Sequence, residues 1–324
     1  MTSSEPSSVP SRGSFIDPRT LMRIRNLELR ARAVVEGFWT GLHRSPYHGF
    51  SVEFTEYRPY SPGDDPRFVD WRVYARSDRC FIKKFEEETN LRCHLLVDQS
   101  RSMMFGTIGH TKAAYGATLA ATLAQFLHLQ GDATGLMTFD ESVREFLPAR
   151  RRPGQLRRLM LALEPRATGP SVGRSTDLRA PLQRIIEIIR GRGLLVLITD
   201  LLTPIGSLQS ELRLLTARGH EVVVFQVLDP AERTLDLGPS TVLEDLETGQ
   251  TLWIDPKTAG VEYRRNLEAH LASAAEICEA LGITWHRLTT DQPLELALFE
   301  FLRDRTARNR RGRLLVARGR GGGR

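Results

Sequence analysis

The amino-acid sequence predicts an α/β protein: a mostly parallel, Rossmann-like central sheet flanked by helices, preceded by a smaller region of one helix and a few strands. Three observations carry this. From residue 91 onward, short and nearly continuous apolar runs alternate with longer segments whose apolar residues recur at helical spacing. The apolar runs LRCHLLVD and GLLVLITD lack the in–out alternation of a half-exposed strand, as expected when helices cover both faces of a sheet. Both of these runs end in aspartate, at Asp98 and Asp200.

Residues 1–18 are rich in Ser and Pro and read as a disordered leader. The leader lacks the basic start and apolar stretch of a secretion signal. Leu21 to Val35 places Leu21, Ile24, Leu27, Leu29, Val34 and Val35 among arginines at helical spacing and predicts an amphipathic helix. Within residues 19–90, GFSVEFTEYRPY and CFIKKFEEE read as strands, separated by a turn around Pro62, Gly63 and Pro66.

The large domain is expected over 91–304. The strand LRCHLLVD is followed by the Ala/Leu-rich helix KAAYGATLAATLAQFLHLQ, the strand ATGLMTF and a short edge strand VREFLP. GQLRRLMLALEP is a helix stopped by Pro165. The next helix starts at Ser175-Thr176-Asp177, residues suited to capping, and sets Leu178, Leu182, Ile185, Ile186 and Ile189 on one face. The strand GLLVLITD, the helix SLQSELRLLTARG and the strand HEVVVFQVLD repeat the unit. A hairpin turning near Thr248-Gly249, a helix over 258–281, the strand ITWHRL and a helix over 294–304 complete it.

Composition bounds the function. The chain has 324 residues, 41% of them hydrophobic and 26% charged, enough for one large domain and a smaller region. No run of 18 apolar residues is present, so no membrane span is expected, and a cytoplasmic location follows. Cys80, Cys93 and Cys278 are too far apart for a metal or redox motif and read as reduced thiols. Residues 305–324 hold eight arginines and no acid, so a chain total of +6 leaves −2 for the rest. The basicity belongs to a disordered tail, and binding to nucleic acid is conceivable only there. No phosphate-binding glycine motif and no nucleophile elbow is present.

The candidate site lies at the carboxyl ends of the strands, where open parallel sheets collect ligands. Asp98 opens the sequence D-x-S-x-S with Ser100 and Ser102, Asp200 ends the later strand, and Thr176 sits at a helix start that could reach the same end. Small hydroxyls can approach a hard cation without crowding it, while carboxylates bind directly, through water, or by orienting the hydroxyls. Two carboxylates balance a divalent ion and leave room for an anionic ligand. On its own D-x-S-x-S is a weak signal, and capping and turn roles are the plain alternative.

The segments LLVDQSRSM, GRSTDL and LITDL resemble, in order and spacing, the three parts of the metal-ion-dependent adhesion site of von Willebrand factor A domains. The resemblance covers about residues 91–290. It implies Ser100, Ser102 and Thr176 as ligands of Mg²⁺, or of Mn²⁺ or Ca²⁺, with Asp98 and Asp200 as direct or water-mediated partners. Leu201 departs from it, since many such domains have glycine after the last aspartate, so a differently shaped loop is expected there.

Upstream, Ser45, Gly49, Glu53-Phe54, Arg58, Tyr60, Gly63-Asp64, Arg67, Asp70-Trp71, Ala75-Arg76 and Lys83 make residues 41–84 similar to the defining stretch of the domain of unknown function 58 family. That resemblance implies work beside a MoxR-type AAA+ ATPase. The expected function is therefore a non-enzymatic, metal-dependent adaptor that joins such an ATPase to a client protein being matured or assembled. The alternatives are a metal-dependent hydrolase using Asp98 and Asp200 to activate water, and nucleic-acid binding through the tail.

Overall fold

Strands form where the apolar runs predict them, and their pairing fixes the position of the site. A computed structural model of the chain describes residues 15–44, 56–59, 81–84, 91–164, 178–189, 191–235, 241–244, 251–254 and 256–305. Six strands make the central sheet: β3 (Arg92–Asp98), β4 (Ala133–Phe139), β5 (Val143–Arg150), β6 (Leu194–Thr199), β7 (Glu221–Leu228) and β10 (Thr284–Thr289). Their order is β10-β7-β6-β3-β4-β5. Every pair is parallel except β4 with β5, which closes one edge antiparallel. The chain moves from β3 outward to β4 and β5, then returns to β6 on the other side and moves outward again. The strand order thus reverses between β3 and β6, which is where ligands bind in open α/β sheets. The predicted fold class, a mostly parallel sheet flanked by helices, holds.

Helices cover both faces. They are α3 (Lys112–Leu129), α4 (Gln155–Leu163), α5 (Arg179–Ile188), α6 (Ile205–Thr216), the short α7 (Pro230–Thr234), α8 (Pro256–Ala280) and a last helix, α9, over 294–305. All six residues of β6 are buried, as are Cys93 to Asp98 of β3, which explains their unbroken apolar character. On one face Leu96, Leu197 and Val224 pack with Leu182, Ile185 and Leu212 of the helices. Helix α3 is buried nearly all round, consistent with its Ala/Leu composition. In β4, a Cβ on Gly135 would lie 2.6 Å from the Ala149 nitrogen, so glycine is required where β5 shifts register against it.

Described residues up to Gly41 join those from Leu91 onward in one compact unit, and those of 42–90 form a second. In the first unit, the stretch predicted as one helix from Leu21 is broken. Asp17 caps the four-residue α1 (Pro18–Leu21), and Asn26 accepts a 2.9 Å hydrogen bond from the Leu29 N–H at the start of α2 (Leu27–Arg44). The apolar spacing runs across this turn, so the pattern alone does not reveal the break. Ala31, Val34, Val35 and Phe38 form the buried face of α2. Phe38 meets Phe126 of α3 edge-on at 6.2 Å, and the Arg30 guanidinium donates to the Thr118 hydroxyl at 3.0 Å.

In the second unit β1 (Glu56–Pro59) and β2 (Phe81–Lys84) pair antiparallel. The predicted hairpin appears in the first unit as β8 (Thr241–Glu244) and β9 (Thr251–Ile254), with its turn outside the described residues. Cys93 and Cys278 are buried free thiols, while Cys80 lies outside the described residues. So do the leader before Phe15, most of the 41–84 signature and the tail after Arg305. Arg305 itself pairs with Asp132 at 3.3 Å.

Candidate cation site at the strand ends

Strand register brings the two aspartates together. Val97 stands opposite Ile198, so Asp98 ends β3 beside Thr199, and Asp200 follows as β6 runs into its loop. Asp98 is fully buried, and both its oxygens are engaged. Oδ1 accepts the Ser100 N–H at 2.8 Å, and Oδ2 accepts the Thr199 hydroxyl at 2.6 Å. The first bond folds the D-x-S-x-S loop back on itself and directs it into a single turn of 3-10 helix at Ser102–Met104. That turn brings the Ser100 and Ser102 hydroxyl oxygens to 3.1 Å from each other.

This spacing fits a small hard cation. Neighbouring ligands of an octahedral ion with 2.0–2.1 Å bonds lie ~2.9 Å apart. Asp98, with both oxygens committed to the loop and to Thr199, is placed to orient the hydroxyls. Among the described residues no group of three or more His, Cys, Asp or Glu side chains is arranged to hold a metal. Thr176 lies outside the described residues.

Burial, and then the nearby Asp200 carboxylate, push the Asp98 carboxyl up to about 6, against the opposing hydrogen bonds from Thr199 and Ser100. Two buried carboxylates side by side favour a cation between or beside them. One is supplied by the protein itself. The Lys112 ammonium donates to Asp200 Oδ2 at 2.9 Å and to Glu232 Oε1 at 2.6 Å. Burial alone would lower the Lys112 pKa, but the charges of Asp200 and Glu232 outweigh it and hold the value above that of an ordinary lysine. The other Asp200 oxygen accepts the Leu202 N–H at 3.3 Å.

Further polar groups brace this arrangement. Glu232 Oε2 accepts the Asp229 N–H at 2.8 Å, completing a capping box at the start of α7. Asp229 in turn accepts the Thr107 N–H at 3.0 Å and the Thr290 hydroxyl at 3.3 Å. The loop bearing Thr107 is tight: a Cβ on Gly106 would come within 2.1 Å of the His110 carbonyl oxygen, and the Lys112 N–H donates to the Phe105 carbonyl at 2.9 Å. Sequence reasoning passed over Lys112, Glu232, Asp229 and Thr107. Lys112 did leave a signal. A cation at the first position of an otherwise apolar helix opposes the helix dipole and implies a specific anion nearby.

The loop after Asp200 carries leucine at a position whose backbone favours glycine. Leu201 adopts the left-handed conformation, φ 54°, that glycine would occupy. Its side chain is fully buried, and His270 Nε2 donates to its carbonyl at 2.8 Å. The strain of about 1–2 kcal/mol is of the size that burying a leucine, about 1.5–3 kcal/mol, can offset. Two apolar side chains stand exposed on the loops of the site, Met104 at 46% and Leu202 at 40%.

Residues 56–276 match the family described as protein of unknown function DUF58. An uncharacterised protein of Mycobacterium tuberculosis, Rv1480, is 30% identical over 305 residues, which are 94% of each chain. MAV169 of Mycobacterium avium, also uncharacterised, is 34% identical over 157 residues, 48% of this chain and 86% of its own. Among solved structures, the conserved hypothetical protein BatB from Bacteroides thetaiotaomicron aligns with 14% identity and a TM-score of 0.45, over 66% of this chain and 98% of its own. The VWA domain of SpRpn10 aligns with 11% identity and a TM-score of 0.37, over 63% and 92%.

Proposed function

The chain belongs to the DUF58 family, and we propose that it is a non-enzymatic adaptor that binds other proteins through a divalent cation held at the ends of β3 and β6. The observation that carries this is the Ser100–Ser102 hydroxyl pair, 3.1 Å apart and anchored by a buried aspartate at the point where the strand order reverses. Ser100 and Ser102 would bind the ion, Asp98 would orient them, and Asp200 would supply the second balancing charge, with Thr176 as the remaining ligand that the sequence resemblance implies. Mg²⁺ is the expected ion, with Mn²⁺ or Ca²⁺ able to take its place. Bound there, it would offer a position for one carboxylate oxygen of a partner. The exposed Met104 and Leu202 on the same loops support a protein ligand, since apolar side chains around a polar anchor are typical of interface centres.

The partner class follows from the sequence resemblance: a MoxR-type AAA+ ATPase and a client protein under assembly, in the cytoplasm. Among the described residues no helix is long and apolar enough to cross a membrane. Binding of that ATPase, measured in Mg²⁺ and in EDTA for the parent and for Asp98→Ala and Ser100→Ala, tests the proposal. Binding that weakens on chelation and in both variants supports it. Folded variants that bind with parental affinity in both conditions overturn it.

A further inference from the structure

Lys112 links the candidate cation site to a second carboxylate outside it. Its side chain is fully buried, and an ammonium in such surroundings persists only beside anions. Asp200, at 2.9 Å, belongs to the site. Glu232, at 2.6 Å, lies on α7, where its second oxygen closes the capping box with Asp229. The ammonium is therefore shared between the carboxylate that a divalent ion needs and one that the ion does not touch. A divalent ion and an ammonium drawn to one carboxylate come within about 5 Å of each other, where like charges in a dry interior repel strongly. Any ion at Ser100 and Ser102 contends with a cation that the fold cannot release.

We infer that Lys112 is a tethered competitor for the charge of Asp200, that Glu232 sets how hard it competes by drawing it aside, and that the site in consequence holds a divalent ion weakly until a partner carboxylate adds its own charge. This rests on the reading of the site as a cation site. It gives the two residues opposite signs. Neutralising Glu232 leaves the ammonium to Asp200 alone and should weaken ion binding. Neutralising both Lys112 and Glu232 frees Asp200 without stranding a buried charge and should tighten it. A merely architectural role for the triad would weaken binding in both cases.

The test uses the full chain and Mn²⁺ alone as the probe, with free Mn²⁺ followed by electron paramagnetic resonance and folding followed by thermal melting. The expected results are a dissociation constant raised about threefold or more in Glu232→Gln and lowered about tenfold in Lys112→Met/Glu232→Gln. A folded double variant that binds Mn²⁺ as the parent does, or more weakly, overturns the inference. Should that double variant fail to fold, Lys112→Gln/Glu232→Gln takes its place, and Mn²⁺ binding there no tighter than in the parent overturns the inference. Ser100→Ala separates the two levels. If it leaves Mn²⁺ affinity unchanged, the cation reading falls and this inference with it. If it abolishes binding while the Lys112 and Glu232 variants have no effect, only this inference falls.

Discussion

The Thr199 hydroxyl donates to Oδ2 of Asp98 across 2.6 Å, joining the last residue of β6 to the last residue of β3. The bond holds the two loops of the candidate site in a fixed relation before any ligand arrives. Thr199→Val keeps the shape and removes the hydroxyl, leaving one oxygen of a fully buried carboxylate without its partner and the Leu201 N–H without its 3.3 Å acceptor. The expected cost is about 1–3 kcal/mol, read from the urea midpoint, and Thr199→Ser should recover most of it. A valine variant within a few tenths of a kcal/mol of the parent would show that the bond contributes nothing to stability.

Leu201 reverses an ordinary ranking. Alanine is normally preferred to glycine inside regular structure, but here the backbone is left-handed, at φ 54°. Both Leu201→Ala and Leu201→Gly lose the buried side chain, and only alanine keeps the strain. Leu201→Gly should therefore be the less destabilised of the two, by about 1 kcal/mol, in paired urea denaturation. The opposite order would mean that the loop relaxes out of this conformation once the side chain is removed.

The same residue shows where sequence reading reaches its limit. The strands, the helices and the grouping of Asp98, Ser100, Ser102 and Asp200 at one sheet end were legible because each rests on local pattern: apolar runs, helical spacing and aspartates at strand ends. A leucine in a glycine conformation leaves no such pattern, since its cost is met by burial against residues far along the chain. The Lys112–Asp200 pair spans 88 positions and the Lys112–Glu232 pair 120, so no spacing rule could join them. The break between α1 and α2 was hidden for another reason. Leu21 and Leu27 are both buried, so the apolar rhythm continues while the backbone turns.

The N-terminal helices cover α3. Arg30 reaches Thr118 at 3.0 Å, and Phe38 and Trp39 both pack on Phe126, at 6.2 and 6.0 Å between ring centres. A fragment starting at residue 91 would expose this apolar face of α3 to water. It should melt well below the full chain and self-associate, as followed by scanning calorimetry and light scattering. In the intact chain, Phe38→Ala should cost about 3–5 kcal/mol. A monomeric fragment with the parental melting temperature would show that the helices are dispensable to the sheet.

His94, in the middle of β3, gives the fold a defined response to acid. Burial, and then the neighbouring His220 and Arg92, hold its pKa down to about 4 against 6.5 for the free side chain. The native protein thus keeps His94 neutral where the unfolded chain takes up a proton. The stability tied to this residue is complete above pH 6.5, falls as the pH drops from 6.5 toward 4, and changes no further below that. By pH 5 the loss relative to pH 7.5 amounts to about 2 kcal/mol. Burial lowers His220 as well, so it adds in the same direction. The Asp98 carboxyl, raised in the fold, pulls the other way over the same interval, so the His94 share is read from the difference between two proteins: between urea midpoints at pH 7.5 and pH 5 the parent should lose about 2 kcal/mol more than His94→Gln does. If the two proteins lose stability in parallel, the acid response arises elsewhere, and His94 is accommodated in its charged form by a rearrangement of the strand end.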